Sequence, residues 1–146
     1  MGRTRRSRTI AASMDDLWAL ISDPHHLPRW WPRVSRVEEV GSDAFTEVMK
    51  TSRGRVVRAD FKLTAADRSG GLLRWEQQVA GTPFARVLRS AVTEIGLQSV
   101  GEQTHVTIEL RQTLSGIFPR VGAWMVRRAS SATLEGALDG LERISG

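Results

Sequence analysis

The stretch IAASMDDLWALISDPHHLPRWWPRV, residues 10–34, decides how this chain is read. Ser13 is placed to cap a helix, with Asp15 and Asp16 in the first turn, where carboxylates favour the positive end of the helix dipole. Met14, Leu17, Trp18 and Ile21 recur at i, i+3, i+4 and i+7, the apolar stripe of an amphipathic helix. Asp23-Pro24 ends it, because a residue before proline avoids the α region. Pro28 and Pro32 break HHLPRWWP (25–32) too often for a long helix, so the spacing predicts a helical turn or compact loop presenting Trp30 and Trp31.

Outward from this stretch the pattern is strands. Upstream, residues 3–11 read as a strand, basic at first and apolar toward its end. Downstream, 34–40, 45–51, 56–65, 72–80, 84–100 and 105–114 read as strands divided by turn signals such as Gly41-Ser42-Asp43 and Gly81-Thr82-Pro83. Connections this short imply antiparallel neighbours, since parallel pairs need long crossovers. Residues 117–145 return to helical spacing. One stripe is Phe118, Val121, Met125, Ala129 and Ala132; a second, shifted in phase, is Leu134, Ala137, Leu138, Leu141 and Ile144. Gly136 and Gly140 are read as gaps in the surface of this helix.

The chain of 146 residues, 40% hydrophobic and 25% charged, has ordinary globular composition and is read as one domain over 1–146. Zero cysteines exclude a disulfide framework, a zinc–thiolate site and a thiol nucleophile; zero tyrosines exclude a phenol acid. No apolar run approaches a membrane span, and Ile10-Ala11-Ala12 is too short for a signal peptide, so a cytoplasmic protein is expected. The net charge of +5 rests on 19 Arg and only 2 Lys. The arginines are scattered, with one dense cluster at Arg3–Arg8, so nucleic acid is not expected as a partner. A homodimer through an edge strand carrying Arg5 stays open.

Residues 10–34 resemble the opening of the START-like (SRPBCC) superfamily, the helix-grip fold. Its polyketide cyclase/dehydrase and lipid-transport group reads "vW…i.D…l..W.p.v" here. Leu72-Leu73-Arg74-Trp75-Glu76, Gly81-Thr82-Pro83-Phe84 and Gly101 through Leu114 are similar to that group's later strands. The resemblance implies an α+β fold. It further implies a curved seven-stranded antiparallel sheet wrapped around a long C-terminal helix, two short helices after the first strand, and a ligand cavity between sheet and helix. The same frame serves carriers, cyclases and co-chaperones, so it does not choose among them.

Polar residues on an inward face carry the most information. Gln112 is in phase with Val106, Ile108 and Leu110, and Trp75 and Gln77 share a face with Leu73 and Val79. Arg89 is in phase with Ala91, Ile95 and Leu97 if that strand is regular, and would then suit an anionic ligand group; a bulge near Pro83 would instead turn it to solvent. Glu47 falls in phase with Phe45 and Met49. Trp30, Trp31, Trp75 and Trp124 suit either a pocket for a flat ligand or core packing. The expected cavity residues are Trp75, Gln77, Arg89, Gln112, Trp30, Trp124, Met125 and Phe61.

His25 and His26 are adjacent and His105 is distant, so no metal site is expected. No phosphate loop or nucleophile elbow is present, and neither a catalytic residue nor a cofactor is assigned. The function expected is binding of a small, mostly hydrophobic molecule that is aromatic, polyketide-like or lipid. A cyclase, aromatase or dehydratase using the same cavity, or a protein-partner module, are the alternatives.

Overall fold

Ser13 starts the first helix as its spacing predicts: its Oγ accepts a hydrogen bond from the Asp16 backbone N–H at 3.1 Å. The computed structural model describes residues 2–51, 53–116 and 120–145. Strand β1 (Gly2–Ile10) leads into helix α1 (Met14–Ile21). A 3₁₀ turn (Pro24–His26), capped by the Asp23 carboxylate, runs directly into the single-turn α2 (Leu27–Trp30). Strands β2 (Val34–Glu38), β3 (Ala44–Lys50), β4 (Val56–Asp67) and β5 (Leu72–Gln77) follow. A second 3₁₀ turn (Pro83–Arg86) precedes β6 (Leu88–Val100), then β7 (Gln103–Leu114) and helix α3 (Arg120–Ser145).

All seven strands form one antiparallel sheet in the order β1-β7-β6-β5-β4-β3-β2, so every strand after the first pairs with its neighbour in sequence. The hairpin from β4 to β5 closes through Gly71 at φ +65°. A Cβ there would stand 2.3 Å from the Leu97 carbonyl oxygen of β6, so only glycine fits. No helix among the described residues is long and apolar enough to cross a membrane.

The arginine excess is organised on the outer face. Across neighbouring strands Arg5 lies opposite Glu109, Glu109 opposite Glu94, and Glu94 opposite Arg74. The two adjacent glutamates would repel. Arg111 bridges them, with Nη2 2.9 Å from Glu94 and Nε 3.1 Å from Glu109, while Arg3 reaches Glu109 at 2.8 Å and Arg74 reaches Glu94 at 2.8 Å.

On the inner face Ile10, Leu73, Ile95, Val106 and Ile108 pack with Leu17, Ile21, Leu27 and Trp30 against Leu134, Ala137, Leu138 and Leu141 of α3. The second of the two expected helical stripes is therefore the packing face. The first is corrected: Met125, Ala129 and Ala132 are exposed, Phe118 lies outside the described residues, and the packing line continues instead through Ser130 and Val126. From Leu134 the line runs back in steps of four, which leaves positions 125, 129 and 132 off the sheet.

The two helix glycines are corrected as well, because they are crossing points rather than gaps. A Cβ on Gly140 would meet the Trp30 carbonyl oxygen at 2.4 Å, and one on Gly136 would meet Pro32 Cγ at 2.8 Å. Arg8 of β1 fastens the outer flank of the same helix, at 2.5 Å from Asp139, 3.0 Å from Glu135 and 3.5 Å from Glu142. Gly140→Ala should therefore destabilise the fold by about 1–3 kcal/mol, the usual range for overpacking, despite alanine's better helix propensity. Urea denaturation checks this, and unchanged stability would mean that the helices do not cross so closely.

Candidate functional site

The leucine face of α3 gives way to Thr133, next to Leu134, and to Ser130 one turn before it, and there the helix stops filling the sheet. A cavity of about 130 Å³ results, lined by Trp31, Glu47, Met49, Phe61, Trp75, Gln77, Ala91, Thr93, Leu110, Gln112 and Thr133. Strand register brings these side chains together: Phe61 lies opposite Gln77, Trp75 opposite Thr93, Thr93 opposite Leu110, and Ala91 opposite Gln112. The walls are aromatic. Trp31 meets Trp75 edge to face at 5.9 Å, and Phe61 stacks on Phe45 at 5.4 Å, which in turn meets Trp75 at 6.1 Å. Trp75 also lines a second cavity of about 90 Å³ under the Gly41–Ala44 turn.

Five polar side chains interrupt this apolar wall: the hydroxyls of Thr93 and Thr133, and Gln112, Gln77 and Glu47. Gln112 is held from above, its Oε1 accepting from Ser130 Oγ at 3.0 Å. Gln77 Nε2 is buried and has no partner among the described residues. Glu47 is 3% exposed, and burial alone pushes its carboxyl from the ordinary 4.5 up to about 8. No Lys, Arg or His is among the cavity residues, so nothing there compensates a negative charge.

The structure divides the sequence-derived site residues. Trp75, Gln77, Gln112 and Phe61 line the cavity. Trp30 does not: it is 2% exposed in the core under α3, and the neighbouring Trp31 lines the cavity in its place, since adjacent residues of a helical turn diverge. Trp124 and Met125 are 54% and 60% exposed on α3, with Arg128 stacked 5.6 Å over the Trp124 ring. Arg89 is exposed. The β6–β7 register slips between Leu88 and Ser90, and this bulge turns Arg89 outward while Ala91, Thr93 and Ile95 remain inward.

The residues that sequence reasoning did not assign are Glu47, Trp31, Met49, Ala91, Thr93, Leu110 and Thr133. Strand alternation does place Glu47 with Phe45 and Met49, but it does not reveal that the face carries no counter-charge. Among the described residues no group of His, Asp and Glu is arranged to hold a metal ion.

A long helix gripped by a curved antiparallel sheet, with an aromatic cavity between them, defines a START-like protein with a cavity suited to an apolar ligand. The chain belongs to the polyketide cyclase/dehydrase and lipid-transport family, whose model matches residues 1–146. No protein of curated function matches it in sequence. Among solved structures it is similar to a START superfamily protein from Mycobacterium smegmatis, at 14% identity and TM-score 0.78 over 98% of this chain and 96% of that one. A protein from Thermus thermophilus matches at 20% identity and TM-score 0.78 over 97% and 95%. The di-domain ARO/CYC StfQ of the steffimycin biosynthetic pathway matches at 16% identity and TM-score 0.78, over 98% of this chain and 50% of its own. At these identities the likeness is one of fold.

The Glu47 shift has a consequence for stability. Between its ordinary value of 4.5 and about 8, the folded protein keeps a proton that the unfolded chain releases. Stability therefore falls as pH rises through that window and levels off above it. At about 1.4 kcal/mol per unit, the loss is on the order of 5 kcal/mol. Glu47→Gln should melt higher than wild type by a margin that grows from pH 5 to pH 8. Parallel thermal melts across that range check it, and a margin independent of pH would show that Glu47 is not buried as described.

Proposed function

We propose that the chain is one ligand-binding domain whose cavity takes a small, uncharged and mostly apolar molecule bearing one hydrogen-bond-accepting oxygen. The observation that carries this reading is Gln77 Nε2, a buried donor without a partner among the described residues, on the wall of a largely apolar cavity. A buried donor left unpaired costs about 1–3 kcal/mol, and a ligand oxygen would supply its partner. The lack of any cation among the cavity residues beside Glu47 argues against a carboxylate or phosphate ligand.

Size narrows the class further. A dry cavity of about 150 Å³ accepts benzene, whereas drug-sized ligands occupy about 300–1,000 Å³. The present volume of about 130 Å³ therefore suits one ring. A polyketide or acyl chain would have to extend out of the open side of the cavity or lift α3 from the sheet around Ser130 and Thr133. Leu134 to Leu141 pack fully on the core, whereas Trp124, Met125, Arg127 and Arg128 are exposed, so the first half of the helix is the part able to move. The same buried carboxyl also favours an enzymatic reading, that of a cyclase or dehydratase, because a passive carrier has no need of an ionisable group there.

The test uses toluene, cyclohexanone and benzoate as probes, followed by protein NMR. Toluene and cyclohexanone should shift the Trp75 indole and Gln77 amide resonances, while benzoate should not. Ala91→Phe, which fills the cavity, should weaken both neutral probes at least about tenfold, the equivalent of roughly 1.4 kcal/mol. Benzoate binding as well as cyclohexanone, or undiminished binding to Ala91→Phe, would contradict the reading.

A further inference from the structure

Glu47 is the one titratable side chain among the described residues of the cavity wall. It lies on β3 between Phe45 and Met49, opposite Val37 of β2 and Ala59 of β4, with Thr133 facing the cavity from α3. None of these neighbours is charged. On the adjacent strands Arg36 and Arg58 pair with Glu38, Asp60 accepts from the Thr46 hydroxyl at 2.6 Å and Asp67 accepts from Ser69, while Lys62 is exposed and alternates to the face opposite Phe61. Gln77, on β5, brings an unpartnered N–H donor to the same cavity. A donor for an oxygen and a carboxyl with no counter-charge, on the wall of a partly open, largely apolar cavity, match what a carbonyl compound presents. Its oxygen can take the amide N–H, and its adjacent C–H bonds are what the carboxylate can deprotonate.

We propose that Glu47 is a general acid–base that moves a proton to and from the carbon next to the carbonyl of a small neutral ketone, with Gln77 Nε2 holding the carbonyl oxygen. This deepens the ligand-binding reading above and rests on it. In the step itself the ionised Glu47 takes the α-proton. The C–H electron pair becomes the C=C bond of the enolate, and the carbonyl π pair moves onto the oxygen, where the Gln77 N–H stabilises it. The reverse transfer returns the proton to carbon. No oxidant, reductant or second substrate is needed.

The apolar surroundings favour this chemistry. A carboxylate that titrates at about 8 is a stronger base than one in water, yet it is still partly ionised near neutral pH. Enolate formation is also the step shared by ring-closing aldol and dehydration reactions, so it supplies either of them with its nucleophile.

Cyclohexanone in D₂O is the probe, with loss of its α-proton signal read by ¹H NMR and binding read separately from protein resonances. The protein should speed α-deuteration at least about a hundredfold over acetate at equal concentration, the low end of general-base contributions. The rate should rise with pH through about 8 and then level. Glu47→Gln should bind cyclohexanone but lose the acceleration. Gln77→Leu should slow exchange more than it weakens binding, which gives a readout independent of the Glu47 variant. Cyclohexanone bound by wild type with no acceleration, or acceleration retained by Glu47→Gln, overturns the proton-transfer role and leaves the binding reading standing. No binding to wild type overturns both.

Discussion

The backbone of Trp30 lies so close to Gly140 that no side chain fits between them, and the rest of the molecule is arranged around that crossing. It presses the short segment after α1 onto the second half of α3, with Pro32 seated on Gly136 one turn earlier. Arg8 grips the opposite flank of the same half through Glu135, Asp139 and Glu142. Leu134, Leu138 and Leu141 can then be buried completely against the sheet. The first half of the helix is tied near its end, by Ser130 to Gln112 and by Arg6 to Ser131, while Trp124 and Met125 remain in solvent. The cavity lies at the boundary between the two halves, where Ser130 and Thr133 replace leucine.

That boundary accounts for the chemistry of the site. A helix packed tightly along its whole length would leave no cavity, and a charged residue in its packing line would supply a counter-ion for Glu47. Because Thr133 lines the cavity and Ser130 is tied to Gln112, the carboxyl faces aromatic rings and amides instead. Burial without compensation favours the neutral acid. The same feature that makes Glu47 a burden on stability at high pH makes it a proton carrier within reach of neutral pH. A trade of stability for function is common at binding sites.

Much of the fold was legible in the sequence because it depends on local signals. Ser13, Asp23-Pro24 and the i, i+3, i+4, i+7 stripe of α1 act within a few residues of themselves, and the seven strands alternate clearly enough to be counted. Strand phase also located Trp75, Gln77 and Gln112 on the inner face. The misreadings arose where a long-range event intervened. Arg89 was in phase until the bulge between Leu88 and Ser90 reversed it. Met125 and Ala129 fitted a helical stripe, but the stripe in contact was chosen by the approach of Trp30 and Pro32 to Gly140 and Gly136, which periodicity does not encode. Glu47 was in phase too, yet its importance lies in what is missing around it, and that is a property of the assembled cavity.

The most direct measurement is the titration of the Glu47 side-chain carboxyl carbon by ¹³C NMR, assigned by comparison with Glu47→Gln. A midpoint near 8 is expected if the carboxyl faces the cavity without a counter-charge. A midpoint near the ordinary 4.5 would mean that water or a cation reaches it, which would contradict both the burial of Glu47 and the proton chemistry assigned to it.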